Sequence, residues 1–385
     1  MSGSIIVASP SVAVLAKREE RKARTGAAAA SQAGSGRGGA GLILGAAATG
    51  FSSFMRSLGE DPANLVERIG VPAKMLTDPS VEVGLPTYCT LFEEAARFTR
   101  HGNYGLWFGK QFNPFELGPI GEVIAYSPSL RAAVTNFVGL YSYFQQVTGT
   151  RLVQDGNFLH LEYRILDGRI VDRRQDAELT MGFFANLFWR TIGNRWQIEE
   201  VHFEHPRPEA AEEHATAFGA PVYFGQSVNA LVFRDRDLDT PMPQADLQKM
   251  LRAHQKLVSI FHGAGEVSLL DRLSAEIRMH LPAGAPRIDD VSEGMGLSAR
   301  KLQKDLAEMG TTFREVVETT RRKLSLSYLA QSHLSMSDVA SLLGFSEASA
   351  FTRACRDWHG ASPRMVRAAM ALGCYGRSGV GEDDE

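Results

Sequence analysis

The sequence predicts an α+β N-terminal domain followed by an all-α domain with two helix-turn-helix motifs joined by a long helix. Three observations predict this fold class. Helical spacing and β-hairpin signals are mixed from Phe51 to about Thr240, and a motif that begins near Asp290 recurs 48 to 50 residues later. A strongly helical stretch of 19 residues, from Phe313 to Gln331, lies between the two copies.

Length and composition limit the class of protein. A chain of 385 residues with 44% apolar residues can build two or three hydrophobic cores. The formal net charge is -3, and no apolar run approaches the roughly 20 residues needed to cross a bilayer. The three cysteines, Cys89, Cys355 and Cys374, are widely spaced, which is typical of a reducing compartment. We therefore expect a cytoplasmic protein without a membrane-spanning helix.

The N-terminal domain is predicted from local patterns. Apolar residues at helical spacing predict helices in FSSFMRSLGEDPANLVERIG, in LPTYCTLFEEAARFTRH and in LRAAVTNFVGLYSYFQQV. In RLVQDGNFLHLEYRI, Asp155-Gly156 separates two alternating runs, which predicts a β-hairpin. The stretch EEVHFEHP predicts a further strand, and PEAAEEHATAFG a short helix.

No catalytic, metal or cofactor site is predicted. His202 and His205 are three residues apart, and in a strand they would point to opposite faces. GxSxG, GxxxxGK and HExxH motifs are absent from the sequence.

An effector pocket is one interpretation of the aromatic and arginine residues in this domain. Aromatic residues alternate with arginines, an arrangement that could hold a small organic anion. The other interpretation is that the aromatic side chains form the core and the arginines lie on the surface. The residues predicted to bind the effector are Tyr141, Arg164, Arg173, Trp189 and Arg190.

The internal repeat identifies the second domain. Asp290-Val291, Gly296 and Ser298 recur 48 residues later as Asp338-Val339, Gly344 and Ser346. Leu302 and Lys304 match Phe351 and Arg353 at 49 residues, while Gly310, Arg314 and Val316 match Gly360, Arg364 and Val366 at 50. Each copy is predicted to form a helix, a glycine-containing turn and a second helix.

The second helix of each copy has a polar face. Ser298 and Ser346 are predicted to cap these helices, and Gly296 and Gly344 to end the helices before them. In the first copy this helix is predicted to bury Ala299, Leu302, Leu306 and Met309 and to expose Arg300, Gln303 and Lys304. In the second copy it is predicted to bury Phe351, Ala354, Cys355 and Trp358 and to expose Ser349, Thr352, Arg353 and Arg356. A polar helix face is common, but two matched faces suit reading of DNA in the major groove.

The long helix between the copies predicts their spacing. At 1.5 Å per residue, the stretch from Phe313 to Gln331 spans about 28 Å, and it shows no obvious cap. The two second helices could then sit roughly 34 Å apart, one turn of double-stranded DNA, and enter successive major grooves.

Residues 282–371 resemble the DNA-binding domain of the AraC/XylS transcription regulators. The most specific match is GxSPxxxR, here Gly360-Ala361-Ser362-Pro363 through Arg367. EEVHFEHPRP, FGAPVYFGQSVNALVF and DLDTPMP resemble the arabinose-binding-type regulatory domain of one branch of that family. The resemblance implies an effector-responsive activator or repressor of bacterial promoters, acting with RNA polymerase. By motif position it places base contacts on Arg300, Gln303 and Lys304, and on Ser349, Thr352 and Arg353.

Charge predicts the contacts to phosphates. Residues 282–371 hold 12 Lys and Arg against 10 Asp and Glu, a net charge of +2, so nonspecific attraction to DNA should be modest. A homodimer would strengthen binding. The arginines predicted to contact phosphates, or else to keep the surface soluble, are Arg321, Arg322, Arg356, Arg364 and Arg367.

These patterns divide the chain into five segments. They are a disordered low-complexity tail (1–48), an α+β effector-binding and dimerisation domain (49–243), a helical linker (244–281), a tandem helix-turn-helix domain (282–371) and a flexible acidic tail (372–385). Two alternatives remain open: a constitutive DNA-binding regulator whose N-terminal domain only dimerises, and a DNA-repair alkyltransferase with the same kind of DNA reader. The second would need an activated cysteine cluster.

Overall fold

The computed structural model describes residues 4–8, 41–193, 196–235, 238–260 and 268–372. The described chain forms two compact units. The second unit contains the chain from Leu269 onward together with the short segments Glu204–Glu209 and Gly225–Ser227. The first unit is α+β and the second is all-α, as the sequence predicts.

The helices of the first unit confirm the predicted helical stretches. Asp61 caps the second helix by accepting a hydrogen bond from the Ala63 N–H, and Ser129 caps the sixth in the same way. The helices are α1 (Phe51–Ser57), α2 (Pro62–Ile69), α3 (Leu85–Phe98), α4 (Tyr104–Gln111), α5 (Pro119–Tyr126), α6 (Leu130–Phe144), α7 (Arg174–Ile192), α8 (Glu212–Phe218) and α9 (Leu247–Ile260).

A mixed sheet forms the other layer of this unit. Within the described residues six strands pair in the order β1-β4-β5-β8-β6-β7, and β2 pairs with β3 separately. The predicted hairpin is confirmed: Thr148 pairs with Ile165 and Asp155 with Phe158, and Gly156 in the turn has φ +59°. The strands are β1 (Ser4–Ala8), β2 (Leu42–Leu44), β3 (Glu82–Gly84), β4 (Thr148–Asp155), β5 (Phe158–Ile165), β6 (Glu200–His202), β7 (Val222–Tyr223) and β8 (Asn229–Arg234).

Glycines allow α4 and α7 to approach each other closely. A Cβ at Gly105 would lie 2.1 Å from the Gln175 carbonyl oxygen, and one at Gly109 would lie 2.4 Å from that of Leu179. Any larger side chain would push the helices apart, since both contacts are with backbone atoms. Because α7 also packs against β5 and β8, its first turns lie deep in the core of the unit.

The predicted end of the N-terminal tail, residue 48, lies too far along the chain. Residues 42–48 form β2 and a 3-10 helix (Gly45–Ala48), and Ile43, Leu44 and Ala48 are each 1% exposed. Small residues suit this place because a Cβ at Gly45 would lie 2.4 Å from the Asp78 carbonyl oxygen. Ser4–Ala8 also pairs with β4. Residues 1–3 and 9–40 of the predicted tail lie outside the described residues.

The predicted linker, 244–281, does not form a separate element. The first part of the segment is α9, whose Ala253 and Leu257 belong to the core of the first unit. The second part is α10 (Leu269–His280), which packs in the second unit. An amphipathic helix at a domain boundary contributes more by burying its apolar face than by spanning solvent.

The second unit contains the tandem repeat. The order of its helices confirms two helix-turn-helix motifs joined by a longer helix. They are α10, α11 (Ile288–Gly294), α12 (Ala299–Glu308), α13 (Phe313–Leu329), α14 (Met336–Leu342), α15 (Ala348–His359) and α16 (Pro363–Ala371). In the part of the chain that the structure describes, none of the helices has the length and apolar character needed to span a membrane.

Equivalent positions of the two copies have equivalent environments. Val291 and Val339 are both fully buried, and the glycines of the two turns, Gly296 and Gly344, have φ +69° and +72°. The sequence suggested that the joining helix has no cap, but the structure shows one. Thr312 and Glu315 form a capping box at the start of α13.

Candidate nucleic-acid interface and internal cavity

In the first motif, α12 presents a charged face. The Ser298 hydroxyl accepts a hydrogen bond from the Lys301 N–H, which confirms the predicted cap. Leu302 and Leu306 are buried, whereas Arg300, Gln303 and Lys304 are exposed. Met309 departs from the predicted apolar face, because the helix ends at Glu308 and the Met309 side chain is 52% exposed.

In the second motif, α15 presents a similar polar face, but its N-terminus differs from that of α12. The predicted cap by Ser346 is wrong, since the helix begins after Glu347, one residue later than in the first motif, with no side-chain cap. Phe351 and Cys355 are fully buried. Ser349, Arg353 and Arg356 are exposed, while Thr352 is half-buried and its hydroxyl donates to the Ala348 carbonyl at 2.9 Å.

Two of the arginines predicted to contact phosphates form hydrogen bonds within the second unit. The Arg321 guanidinium donates from Nε to the Leu343 carbonyl (2.8 Å) and from Nη2 to the Gly344 carbonyl (3.0 Å). It also lies over the Phe345 ring, 4.5 Å from the centroid. Arg367 donates from Nε to the Leu329 carbonyl at 3.0 Å. Burial lowers the pKa of both side chains, which is the direction expected when a cation leaves water.

The remaining predicted phosphate contacts are exposed. Arg322 lies on α13, Arg356 on α15 and Arg364 in the first turn of α16. The serine of the GxSPxxxR element caps α16 by accepting a hydrogen bond from the Met365 N–H. Thr312 occupies the equivalent place before α13, so the helix after each motif starts with a hydroxyl cap.

A small cavity lies inside the first unit, between α3, α6 and the first turns of α7. Its volume is about 20 Å³, room for roughly one water-sized group. The apolar part of the lining is Ala47, Phe112, Leu117, Phe144, Leu179 and Phe183, and the polar part is Tyr88, Tyr141, Gln145, Asp176 and Thr180.

A chain of buried hydrogen bonds runs along this cavity. The Tyr163 hydroxyl donates to Asp176 Oδ2 at 2.6 Å, and Gln145 Nε2 donates to the Tyr163 oxygen at 2.7 Å. The Tyr141 hydroxyl donates to Gln145 Oε1 at 2.9 Å. Burial, followed by the nearby Asp176 carboxylate, raises the pKa of Tyr141 and Tyr163 well above the ordinary value. The phenols therefore stay neutral.

The structure does not bring the five predicted effector residues together. Tyr141 lines the cavity. Trp189 lies under the Lys110 ammonium, 3.6 Å from the ring centroid, and Arg190 lines a separate surface groove. Arg173 is buried and donates to the Ile165 carbonyl at 2.8 Å, while Arg164 lies on β5, paired with Gly149.

Sequence reasoning missed Asp176, Gln145 and Tyr163. An acidic residue in the first turn of a helix is ordinarily explained by the helix dipole, so Asp176 gave no signal of a site. Glutamine and tyrosine are common at helix ends and in strands. Only the packing of α6, α7 and β5 brings the three together.

Comparisons with known proteins agree with this architecture. The family model "Arabinose-binding domain of AraC transcription regulator, N-term" matches residues 59–242, and the model "Helix-turn-helix domain" matches residues 291–369. The HTH-type transcriptional regulator VirS of Mycobacterium tuberculosis is 26% identical over 322 residues, which cover 83% of this chain and 94% of that protein.

A second relative also matches most of the chain. The ornithine utilization regulator of Pseudomonas aeruginosa is 24% identical over 310 residues, covering 79% of this chain and 90% of that protein. Among solved structures, the transcriptional regulator CdpR of Pseudomonas aeruginosa aligns with 82% of this chain and 98% of its own, with 18% identity and a TM-score of 0.38.

Proposed function

Because the chain belongs to the AraC/XylS family of DNA-binding transcription regulators, we propose that it binds promoter DNA through α12 and α15 under the control of a small molecule. In this proposal the two helices enter successive major grooves on one side of the duplex. The small molecule binds in the first unit and changes the affinity for DNA. A homodimer and contact with RNA polymerase complete the proposal.

The observation that carries the proposal is the matched build of α12 and α15. Each follows a glycine turn, each buries leucine or phenylalanine on one side, and each exposes an arginine on the other. The base contacts belong to Arg300, Gln303 and Lys304 on α12, and to Ser349, Thr352 and Arg353 on α15. Arginine and lysine suit guanine, and glutamine suits adenine.

Cysteine chemistry does not favour the alkyltransferase alternative. Such an enzyme needs a thiol with a lowered pKa, but Cys89 is 1% exposed, and burial raises the pKa of its thiol well above the ordinary value. Burial also raises the pKa of Cys355 to about 11. Cys374 lies outside the described residues.

Single alanine substitutions should weaken separate halves of the operator. Arg300→Ala should cost about 1–3 kcal/mol in the half-site read by α12, and Arg353→Ala a similar amount in the half-site read by α15. We expect footprints of the two variants on the same promoter fragment to lose protection in two regions about one helical turn apart. Loss in one region for both variants would mean that only one motif reads bases.

Arg322→Ala is the matched control because Arg322 is exposed but lies on α13. It should weaken binding to specific and random DNA alike and reduce the salt dependence of affinity by about one counterion.

A thermal-shift screen of metabolites with the full chain separates a sensor from a constitutive regulator, since a ligand that binds only the native state raises Tm.

A further inference from the structure

We propose that a surface groove of the first unit binds a small aromatic carboxylate, with its carboxylate on the Lys110 ammonium and its ring against Trp189. This inference rests on the proposed function, because it names the class of small molecule that the first unit senses. The groove is lined by residues of α4, α7 and α8 and by residues 196–199. Its volume is about 500 Å³, which is within the range of small-molecule sites. Of the five residues predicted to bind an effector, Trp189 is the one that lines this groove.

Lys110 places a fixed ammonium group in the lining. The ammonium donates to the Ala217 carbonyl near the end of α8, and it lies 3.6 Å from the centroid of the Trp189 ring. The last carbonyls of a helix lack partners within the helix, so a lysine here also acts as a cap. An ammonium group has three N–H donors, and one carbonyl and one ring do not use all of them. The Lys110 ammonium is therefore held in place with a donor left for a ligand.

The charge of Lys110 is not compensated. Within the described residues the ammonium forms no ion pair with a carboxylate, and burial lowers the pKa of Lys110. The other charged residue of the lining, Glu199, already accepts from Arg234 Nε at 2.7 Å. Glu213 on α8 accepts from Trp107 Nε1 at 2.6 Å. The groove therefore favours an anion, because a negative charge stabilises the partly buried ammonium.

A carboxylate suits this site better than a phosphate. Arginine is the preferred partner of phosphate, because its planar guanidinium binds two oxygens at once. The lining contains one lysine and no arginine. The single positive charge of Lys110 therefore matches a monocarboxylate.

The walls of the groove favour an aromatic ring. Trp189 is half-buried, and its ring meets that of Trp196 at 74° with the centroids 6.1 Å apart. Trp196 is 4% exposed and stacks on Phe188 at 4.2 Å, which fixes its indole. Ile198 and Phe218 add apolar surface to the lining. An aromatic ligand can pack offset or edge-to-face against an indole, the arrangements that aromatic pairs prefer.

Three nitroaromatic probes test the ligand class with the full-length protein. 4-Nitrobenzoate, 4-nitrobenzyl alcohol and 4-nitrobenzylammonium share a ring that quenches tryptophan fluorescence on contact, and they differ in charge. Two of the four tryptophans, Trp189 and Trp196, line the groove. We expect saturable quenching by 4-nitrobenzoate with a Kd at least about 10-fold below those of the other two, because charge-assisted hydrogen bonds are stronger than neutral ones. Equal or tighter binding of the alcohol or the amine, or no saturable quenching by 4-nitrobenzoate, would overturn the proposal.

Substitution of Lys110 connects the response to the groove. Lys110→Met keeps an unbranched side chain but removes the charge, so it should weaken 4-nitrobenzoate binding about 10-fold and leave binding of the alcohol unchanged. Lys110→Arg should keep most of the affinity. Arg190→Met is the matched control, because Arg190 follows Trp189 in the chain but lines a separate groove. An unchanged affinity in Lys110→Met, or a loss in Arg190→Met instead, would place the anion elsewhere and contradict the site.

A second pair of variants leaves the contact between Lys110 and α8 intact, in case Lys110→Met does not fold. Thr216 is exposed on α8 and lines the groove, so Thr216→Glu adds a carboxylate that competes for the ammonium. It should weaken 4-nitrobenzoate binding about 10-fold. Ala215→Glu adds the same charge at an exposed position of the same helix outside the lining, and it should change the Kd less than about twofold. Equal effects of the two variants would count against the groove.

Operator DNA separates this inference from the proposed function. If 4-nitrobenzoate binds with the expected dependence on Lys110 but the affinity for DNA stays constant at saturation, the site and the ligand class stand and the sensor role of the site fails. If 4-nitrobenzoate does not bind while another metabolite changes the affinity for DNA, the proposed function stands and this inference fails.

Discussion

Gly344→Ala is expected to destabilise the second unit by about 3 kcal/mol. Gly344 has φ +72°, where a residue with a Cβ is strained by roughly 1–2 kcal/mol. The new Cβ would also lie 2.5 Å from the Gly284 carbonyl oxygen and 2.8 Å from that of Leu281. Both are backbone atoms, so relief requires a shift of the chain that typically costs about 1–3 kcal/mol.

Gly296→Ala provides the control within the same molecule. Gly296 occupies the equivalent turn with φ +69°, but a Cβ there would have no neighbour within 4 Å. It should therefore cost only the backbone strain, roughly 1–2 kcal/mol. Amide hydrogen exchange in α14 and α15 for the first variant, and in α11 and α12 for the second, measures each loss locally. Equal losses would contradict the close approach at Gly344.

The repeat could be predicted from sequence because its signals are local. A buried valine, a glycine with positive φ and a hydroxyl cap each depend on a few neighbouring residues. Val291 and Val339, and Gly296 and Gly344, therefore appear where the pattern places them. Prediction was wrong at Ser346 because one inserted residue moved the start of α15 beyond it. Local spacing could not show which residue would then precede the helix.

In the first unit, the features that sequence failed to predict depend on contacts between residues far apart in the chain. GLILGAAA resembles the low-complexity residues before it, and its place in the core depends on distant contacts. Among these, β2 pairs with β3 and the Gly45 N–H donates to the Val81 carbonyl. The cavity joins Tyr88, Tyr141 and Asp176 from three helices far apart in sequence. A single sequence holds no signal for such contacts between distant residues, so the predicted pocket combined side chains that the fold places apart.

The contacts of Arg321 could not be predicted from sequence either, and replacing this residue should have a large effect on operator binding. It lies beside Arg322 in the sequence, and charge alone assigns both to phosphates. The structure separates them, because Arg322 is exposed, whereas Arg321 binds the carbonyls of Leu343 and Gly344 at the turn before α15. These carbonyls lack partners within α14, so a guanidinium there acts as a cap and complements the helix dipole.

The contacts of Arg321 continue to α15 and back to α13. Its guanidinium lies over Phe345, whose ring centroid is 5.9 Å from that of Phe351 and 6.1 Å from that of Trp358 on α15. Trp358 Nε1 donates to Glu318 Oε1 on α13 at 3.2 Å. This closed set of contacts fixes the orientation of α15, and therefore of Arg353, relative to α13.

Arg321→Met should therefore lower stability by about 2 kcal/mol, since two charge-assisted hydrogen bonds at a half-buried site are lost. It should also weaken operator binding about 10-fold, with the loss confined to the half-site read by α15 and the salt dependence of affinity unchanged. Arg321→Lys should restore part of both losses, because an ammonium group can reach one carbonyl but cannot bridge two. Arg322→Met should give the reverse: unchanged stability, weaker binding to all DNA and a smaller salt dependence. If Arg321→Met instead reduced the salt dependence and weakened random DNA equally, Arg321 would be a phosphate contact, and the orientation of α15 would depend on its packing alone.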